Sequence, residues 1–219
     1  MDTFLIVLQI IGTISFAISG AVLAIEHKMD LLGVVLLGTI TAVGGGVIRD
    51  TVLGNYPIEM FKDPTYLLIG LITSLIVFIV FFFYHKIEIT NSIHYKRIIT
   101  LLDAIGLGVF VVIGAQVAYN TNHTSLIVIS FAAVITAIGG GVIRDIMCQK
   151  MPVIFTKYIY CLATIVEAML YYFLVYFKVN IYVSASISII FIVILRMIAF
   201  HFKLSLPKVP IPEDFKEED

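Results

Sequence analysis

The 219 residues are 60% hydrophobic and only 13% charged, against roughly 45–50% and 25% in an ordinary soluble domain. At a mean hydropathy of +1.07 a soluble fold of this size could not bury its apolar surface, so the chain reads as a polytopic membrane protein. Fourteen basic and fifteen acidic residues give a net charge of −1, with no basic block for a nucleic-acid backbone to bind.

A bilayer core takes about 20 apolar residues per helix, and seven such spans follow one another. The first, Phe4–Ile25, lacks a basic n-region and is too long for a signal peptide, so it is expected to stay in the membrane. Leu31–Leu53, Tyr66–Tyr84, Ile98–Tyr119, Ser125–Cys148, Tyr158–Phe177 and Ile181–Phe200 are the others, separated by short polar breaks. The expected class is an all-α membrane protein with one membrane domain, residues 1–203, and a polar cytoplasmic tail, 204–219. Tyrosines near the span ends, such as Tyr56, Tyr66, Tyr84, Tyr119, Tyr158 and Tyr182, suit interfacial anchors. With the N-terminus outside, nine loop or tail cations are cytoplasmic and only Lys62 and Lys178 face out. The positive-inside rule therefore puts the N-terminus outside and the C-terminus in the cytoplasm.

The second and fifth spans share a ten-residue block. Thr41-Ala-Val-Gly-Gly-Gly-Val-Ile-Arg-Asp50 returns as Thr136-Ala-Ile-Gly-Gly-Gly-Val-Ile-Arg-Asp145, an offset of 95. Upstream, at an offset of 94, Gly12, Phe16 and Gly20-Ala21 match Gly106, Phe110 and Gly114-Ala115. Three spans per unit is an odd number, so the repeats (about 4–84 and 98–177) are expected to be inverted, with a seventh helix (181–203) added.

Three helical glycines cost about 1 kcal/mol each relative to alanine, so Gly44-Gly45-Gly46 and Gly139-Gly140-Gly141 predict breaks in spans two and five. Such breaks would offer carbonyls and helix ends to a solute; the alternative is that the glycines only permit close packing. Thr41 and Thr136, one turn earlier, are candidate pore-lining hydroxyls, or else bond back to the i−4 carbonyl.

Charges inside spans are functional candidates, although a neutral group of pairs can equally hold helices together. Neighbouring side chains on a helix do not face each other, so Arg49-Asp50 and Arg144-Asp145 are expected to pair elsewhere. By depth, Asp103 should meet Arg144 and Arg196 should reach Asp145; by the symmetry of the repeats Gln9 holds the place of Asp103 and should face Arg49. Glu167 lies mid-span without an evident partner, so it is either protonated or faces water. Cys148 and Cys161 form no C-x-x-C pair, the histidines stand singly, and no nucleophile–base pair or metal-ligand spacing points to an enzyme or a cofactor.

The doubled G-G-G-x-x-R-D, with Phe16-Ala-Ile-Ser-Gly-Ala21 and Leu102-Asp-Ala-Ile-Gly-Leu-Gly-Val-Phe110, resembles the prokaryotic trimeric intracellular cation (TRIC) channels. These are also described as glycine-transporter-domain membrane proteins, and the resemblance covers about residues 4–203. It implies seven helices, a homotrimer with one pore per subunit, and kinks at the two glycine triplets. The chain departs from the family at Gln9, where many members carry an acid. A K⁺ channel is the leading expectation; a carrier of glycine or another small neutral amino acid is the alternative, its substrate carboxylate meeting a half-helix N-terminus.

Overall fold

A computed structural model of the protein describes residues 3–84, 93–121, 124–156 and 160–204. Among these residues all regular structure is helical: α1 (Thr3–Glu26), α2 (Leu31–Leu53), α3 (Glu59–Lys62), α4 (Thr65–Tyr84), α5 (Ile93–Asn120), α6 (Leu126–Met147), α7 (Val153–Thr156), α8 (Tyr160–Tyr176) and α9 (Ile181–His201). Lys86, Lys157, Tyr158 and the tail from 205 lie outside the described residues.

Six helices, α1, α2, α4, α5, α6 and α9, are long and apolar enough to cross a membrane. The predicted sixth span is represented by α8, which at 17 residues falls short of the roughly 20 that a crossing takes. Two predicted loops each contain a helical turn, α3 and α7. α5 begins at Ile93 rather than Ile98; Lys96 and Arg97 continue the helix with exposed side chains, their long stems carrying the charged heads to the surface.

Local chemistry sets several ends. Asp30 starts α2 by accepting a hydrogen bond from the Gly33 N–H at 2.8 Å, as an N-cap should. Gly54 ends α2 at φ 66°, the left-handed conformation that glycine adopts without strain. Asn180 caps α9 through the Tyr182 N–H at 2.9 Å. Asp63 accepts from the Thr65 N–H at 3.0 Å, and the Thr65 hydrogen bonds hold its carboxyl below the ordinary carboxylate range.

α2 and α6 pack against each other, α1 lies on α2 and α5, and α5 also packs on α6, α8 and α9. Of the described residues of α4 only Gly70 and Ser74 are buried, while Val77 and Phe78 pack half-buried against the core. The seams are lined with small residues: Ala17, Ala21, Ala104, Ala115, Ala132, Ala133 and Ala137 are all fully buried. In lipid this is what drives helix association, because tails are as apolar as leucine and close backbone approach is what remains to gain. Phe16, Leu37, Leu107, Ile129 and Ile192 fill the space between, while Ile127, Phe83 and Phe177 stand exposed on the rim.

Candidate functional site

The predicted breaks do not occur. α2 and α6 run as continuous α-helices through Gly44–Gly46 and Gly139–Gly141. The glycines instead let the two helices meet backbone to backbone. A Cβ on Gly45 would overlap the Thr136 carbonyl, 2.9 Å from its carbon, and one on Gly140 would stand 3.0 Å from the Thr41 carbonyl carbon. A Cβ on Gly139 would lie 3.1 Å from Gly45 Cα, and one on Gly44 would lie 3.7 Å from Gly140 Cα. Gly46 and Gly141 are different: their nearest neighbours are side-chain ends at 3.7 Å. Close contact along the helix recovers what the glycine propensity costs, so the packing alternative is the one realised.

Thr41 and Thr136 take the back-bonding alternative as well. Thr41 donates to Leu37 O at 2.6 Å and Thr136 to Ala132 O at 2.5 Å, and both are buried. Each faces a glycine of the neighbouring helix. A Cβ on Gly20 of α1 would meet Thr41 Cβ at 2.8 Å, and one on Gly114 of α5 would meet Thr136 Oγ1 at 2.5 Å. The matched Gly20-Ala21 and Gly114-Ala115 are therefore the seats of the two threonines.

Adjacent arginine and aspartate do pair, contrary to the sequence expectation. Arg49 Nε donates to Asp50 Oδ1 at 2.8 Å and Arg144 Nε to Asp145 Oδ1 at 2.9 Å. Neighbouring side chains diverge when they project straight out from a helix, but a long arginine near a helix end folds back onto the next residue. The second aspartate oxygen explains the motif further. Asp50 Oδ2 accepts the Glu59 N–H of α3 at 3.0 Å, and Asp145 Oδ2 accepts the Val153 N–H of α7 at 2.9 Å. Each aspartate thus ties an arginine to the start of a short helix beyond its own. Hydrogen bonds to charged groups contribute about 1.5–3 kcal/mol each, so Asp145→Ala is expected to lower stability by at least that amount in thermal unfolding in detergent. Asp145→Asn, which keeps an acceptor, should lose less.

Two cavities open at opposite ends of α1. One, of about 600 Å³, is lined by Ser19, Glu26, Lys96, Asp103, Arg144 and Arg196 among others. Here Asp103 meets Arg144 as expected, at 3.5 Å, but its closer partner is Arg196 Nη2 at 3.2 Å. Arg196 was expected at Asp145; α5 packs directly on α9, which brings Asp103 nearer. Two groups were missed in the sequence. Ser19 accepts from Arg144 Nη1 at 2.7 Å, and the Tyr160 ring lies 4.1 Å below the Arg196 guanidinium, a cation–π distance. The serine sits in the quoted Phe16–Ala21 motif, so it was legible as a polar residue but not as a partner.

The other cavity, of about 50 Å³, is lined by Gln9, Thr13, Gly46, Arg49, Asp50 and Thr136 among others. Gln9 and Arg49 both line this cavity, and the partner of Arg49 is Asp50. Between the two cavities lies the α2–α6 crossing. Glu167 belongs to neither: it is fully buried on α8 and does not line either cavity, so the water-facing alternative falls.

These features define a class: a multi-pass helical membrane protein with two opposed cavities, each lined in part by charged side chains, around a glycine crossing. The glycine transporter family model matches the chain twice, over residues 6–82 and 100–176. The UPF0126 inner membrane protein YadS of Escherichia coli K12 is 36% identical over 208 residues, 94% of this chain and 97% of YadS. The UPF0126 membrane protein YvgT of Bacillus subtilis is 39% identical over 153 residues, 70% of this chain and 72% of YvgT. The solved TRIC trimeric intracellular cation channel orthologue from Rhodobacter sphaeroides superposes with a TM-score of 0.82 at 32% identity, covering 93% of this chain and 100% of that one. A prokaryotic TRIC channel solved in 0.5 M KCl gives 0.81 at 34% identity, over 94% and 100% of the two chains. The chain belongs to the TRIC channel family of glycine-transporter-domain membrane proteins.

Proposed function

We propose that this protein is a channel for monovalent cations, chiefly K⁺, working as a homotrimer with one pore in each subunit. The observation that carries this reading is the pair of cavities at opposite ends of the bundle with the α2–α6 crossing between them. In this arrangement the permeation path runs from the cavity at Arg49 to the cavity at Arg144, and the touching glycine backbones close it. Opening requires α2 and α6 to part by a few ångströms, which a glycine contact without interlocking side chains allows.

The reading includes seven transmembrane helices, with α8 as the sixth, in two inverted repeats (α1, α2, α4 and α5, α6, α8) followed by α9. Its support is the paired recurrence of interactions: Gly45 with Gly140, Gly20–Thr41 with Gly114–Thr136, and Asp50–Glu59 with Asp145–Val153. The N-terminus is placed outside and the C-terminus in the cytoplasm by the distribution of basic residues. Trimerisation and cation conduction come to this chain from the solved relatives, described as trimeric cation channels. The glycine-carrier alternative needed a half-helix N-terminus at the triplets to hold a carboxylate, and α2 and α6 offer no helix end there.

Proteoliposomes loaded with KCl test the reading. Tracer Rb⁺ should enter down the K⁺-driven potential, while labelled glycine should not exceed the protein-free background. Glycine uptake without Rb⁺ uptake would replace the channel with the carrier.

A further inference from the structure

Away from the α2–α6 crossing, a second set of polar groups is buried where α5, α8 and α9 meet. α8 buries Tyr160, Thr164, Glu167 and Tyr171 at steps of three and four residues, and α9 buries Ser184, Ser188 and Arg196. Glu167 occupies the middle. It is fully buried, and neither of its carboxyl oxygens has a hydrogen-bond partner. Gly108 of α5 locates it: a Cβ there would stand 3.4 Å from Glu167 Oε1, 2.7 Å from Ile192 Cγ2 and 3.2 Å from Ile189 Cα. The carboxyl therefore rests against a glycine backbone and beside two isoleucines of α9.

Opposite charges are out of its reach. On α5 the nearest titratable group, Asp103, is five residues from Gly108, about 7.5 Å along the helix, and is engaged with Arg144 and Arg196. On α9 the only charge facing the seam is Arg196, one turn beyond Ile192, bound to Asp103 and stacked on Tyr160. On α6, Arg144 and Asp145 bind each other. On α8 itself the Tyr160 ring lies under the Arg196 guanidinium and the Tyr171 hydroxyl bonds Gln116. The described turn of α7, Val153–Thr156, carries no charge. A lone carboxylate in such a place would keep its full desolvation penalty, which a proton removes.

We propose that Glu167 is a proton-binding site, loaded from the large cavity through the Asp103–Tyr160–Arg196 group. Asp103 and Arg196 line that cavity, and Thr164 stands between Tyr160 and Glu167 on the same helix face. Toward the other end the Gln116–Tyr171 bond closes the seam. The step is a simple association: a hydronium ion in the cavity gives up one O–H bond, one Glu167 oxygen gains it, and water remains. Release reverses it, with no redox partner.

Infrared spectroscopy of the full-length protein in lipid, at neutral pH, reads the site. The wild type should show a protonated-carboxyl C=O band that is lost in Glu167→Gln and shifts within minutes of transfer to D₂O. A folded Glu167→Gln that loses no such band shows that the carboxyl is ionised and overturns the proposal. A band that stays unshifted for hours overturns loading from the cavity. If Glu167→Gln does not fold, wild type carrying ¹³C-carboxyl glutamate gives the same reading, because Glu167 is the only buried glutamate among the described residues. The protonated band must then move with the label, and one that does not move with it counts against the site.

Discussion

Alanine at Gly45 or Gly140 is expected to disrupt the bundle, whereas alanine at Gly46 or Gly141 is expected to leave it folded. The first pair faces carbonyl groups of the opposite helix, and a methyl group there has no flexible neighbour to displace. Overpacking a core costs about 1–3 kcal/mol when side chains can yield; here two helix backbones must separate, so the loss should reach about 3 kcal/mol or more per site. The second pair would make only ordinary van der Waals contacts at the Cβ position, its nearest atoms being side-chain ends 3.7 Å away. There the change removes a glycine from a helix interior and should add up to about 1 kcal/mol. Thermal unfolding with size-exclusion chromatography in detergent checks both halves. A Gly45→Ala protein that melts like the parent would mean that α2 and α6 do not meet as described. Gly12 makes a graded comparison: its Cβ would meet Val109 Cγ1 at 2.8 Å and Cβ at 3.1 Å, a side chain rather than a backbone carbonyl.

Asp103→Ala is expected to cost about 3–5 kcal/mol, the usual loss when one partner of a buried ion pair is removed. Asp103 is the acceptor for Arg196 at 3.2 Å and lies 3.5 Å from Arg144. The two arginines would not suffer equally. Arg144 keeps Asp145 and Ser19, whereas Arg196 keeps only the Tyr160 ring. The double change Asp103→Ala/Arg196→Met should therefore recover part of the loss, because it removes the charge left unpaired. Unfolding of the single and double variants decides this. An Asp103→Ala protein as stable as the parent would dismiss the pairing.

The membrane class, six of the helices and the main charge group were legible because each rests on composition or on depth along a span. Asp103 and Arg144 could be matched by counting residues from the span ends. The glycine triplets were not readable in the same way. A glycine run lowers helix propensity and also permits contact, and the choice depends on whether a second backbone lies opposite. Here Gly140 supplies that backbone to Gly45, a pairing visible only in three dimensions. The fold-back of Arg49 and Arg144 was hidden for a related reason. Asp50 and Asp145 are oriented by N–H groups of α3 and α7, and no periodicity in those short loops marks a helical turn. Arg196 went to Asp103 rather than Asp145 because the sequence sets depth but not which helices are neighbours.

The path through the Arg49 cavity can be tested directly with a thiol beside the crossing. Gly46 lines that cavity and has room for a side chain. The native thiols, Cys148 and Cys161, are free and would first be replaced with alanine. In that background Gly46→Cys protein, reconstituted in a planar bilayer with a KCl gradient, should carry a cation-selective current. A cationic thiol reagent added on the Arg49 side should abolish most of it, and reducing agent should restore it. Complete labelling of Gly46→Cys with an unchanged current would place the path elsewhere.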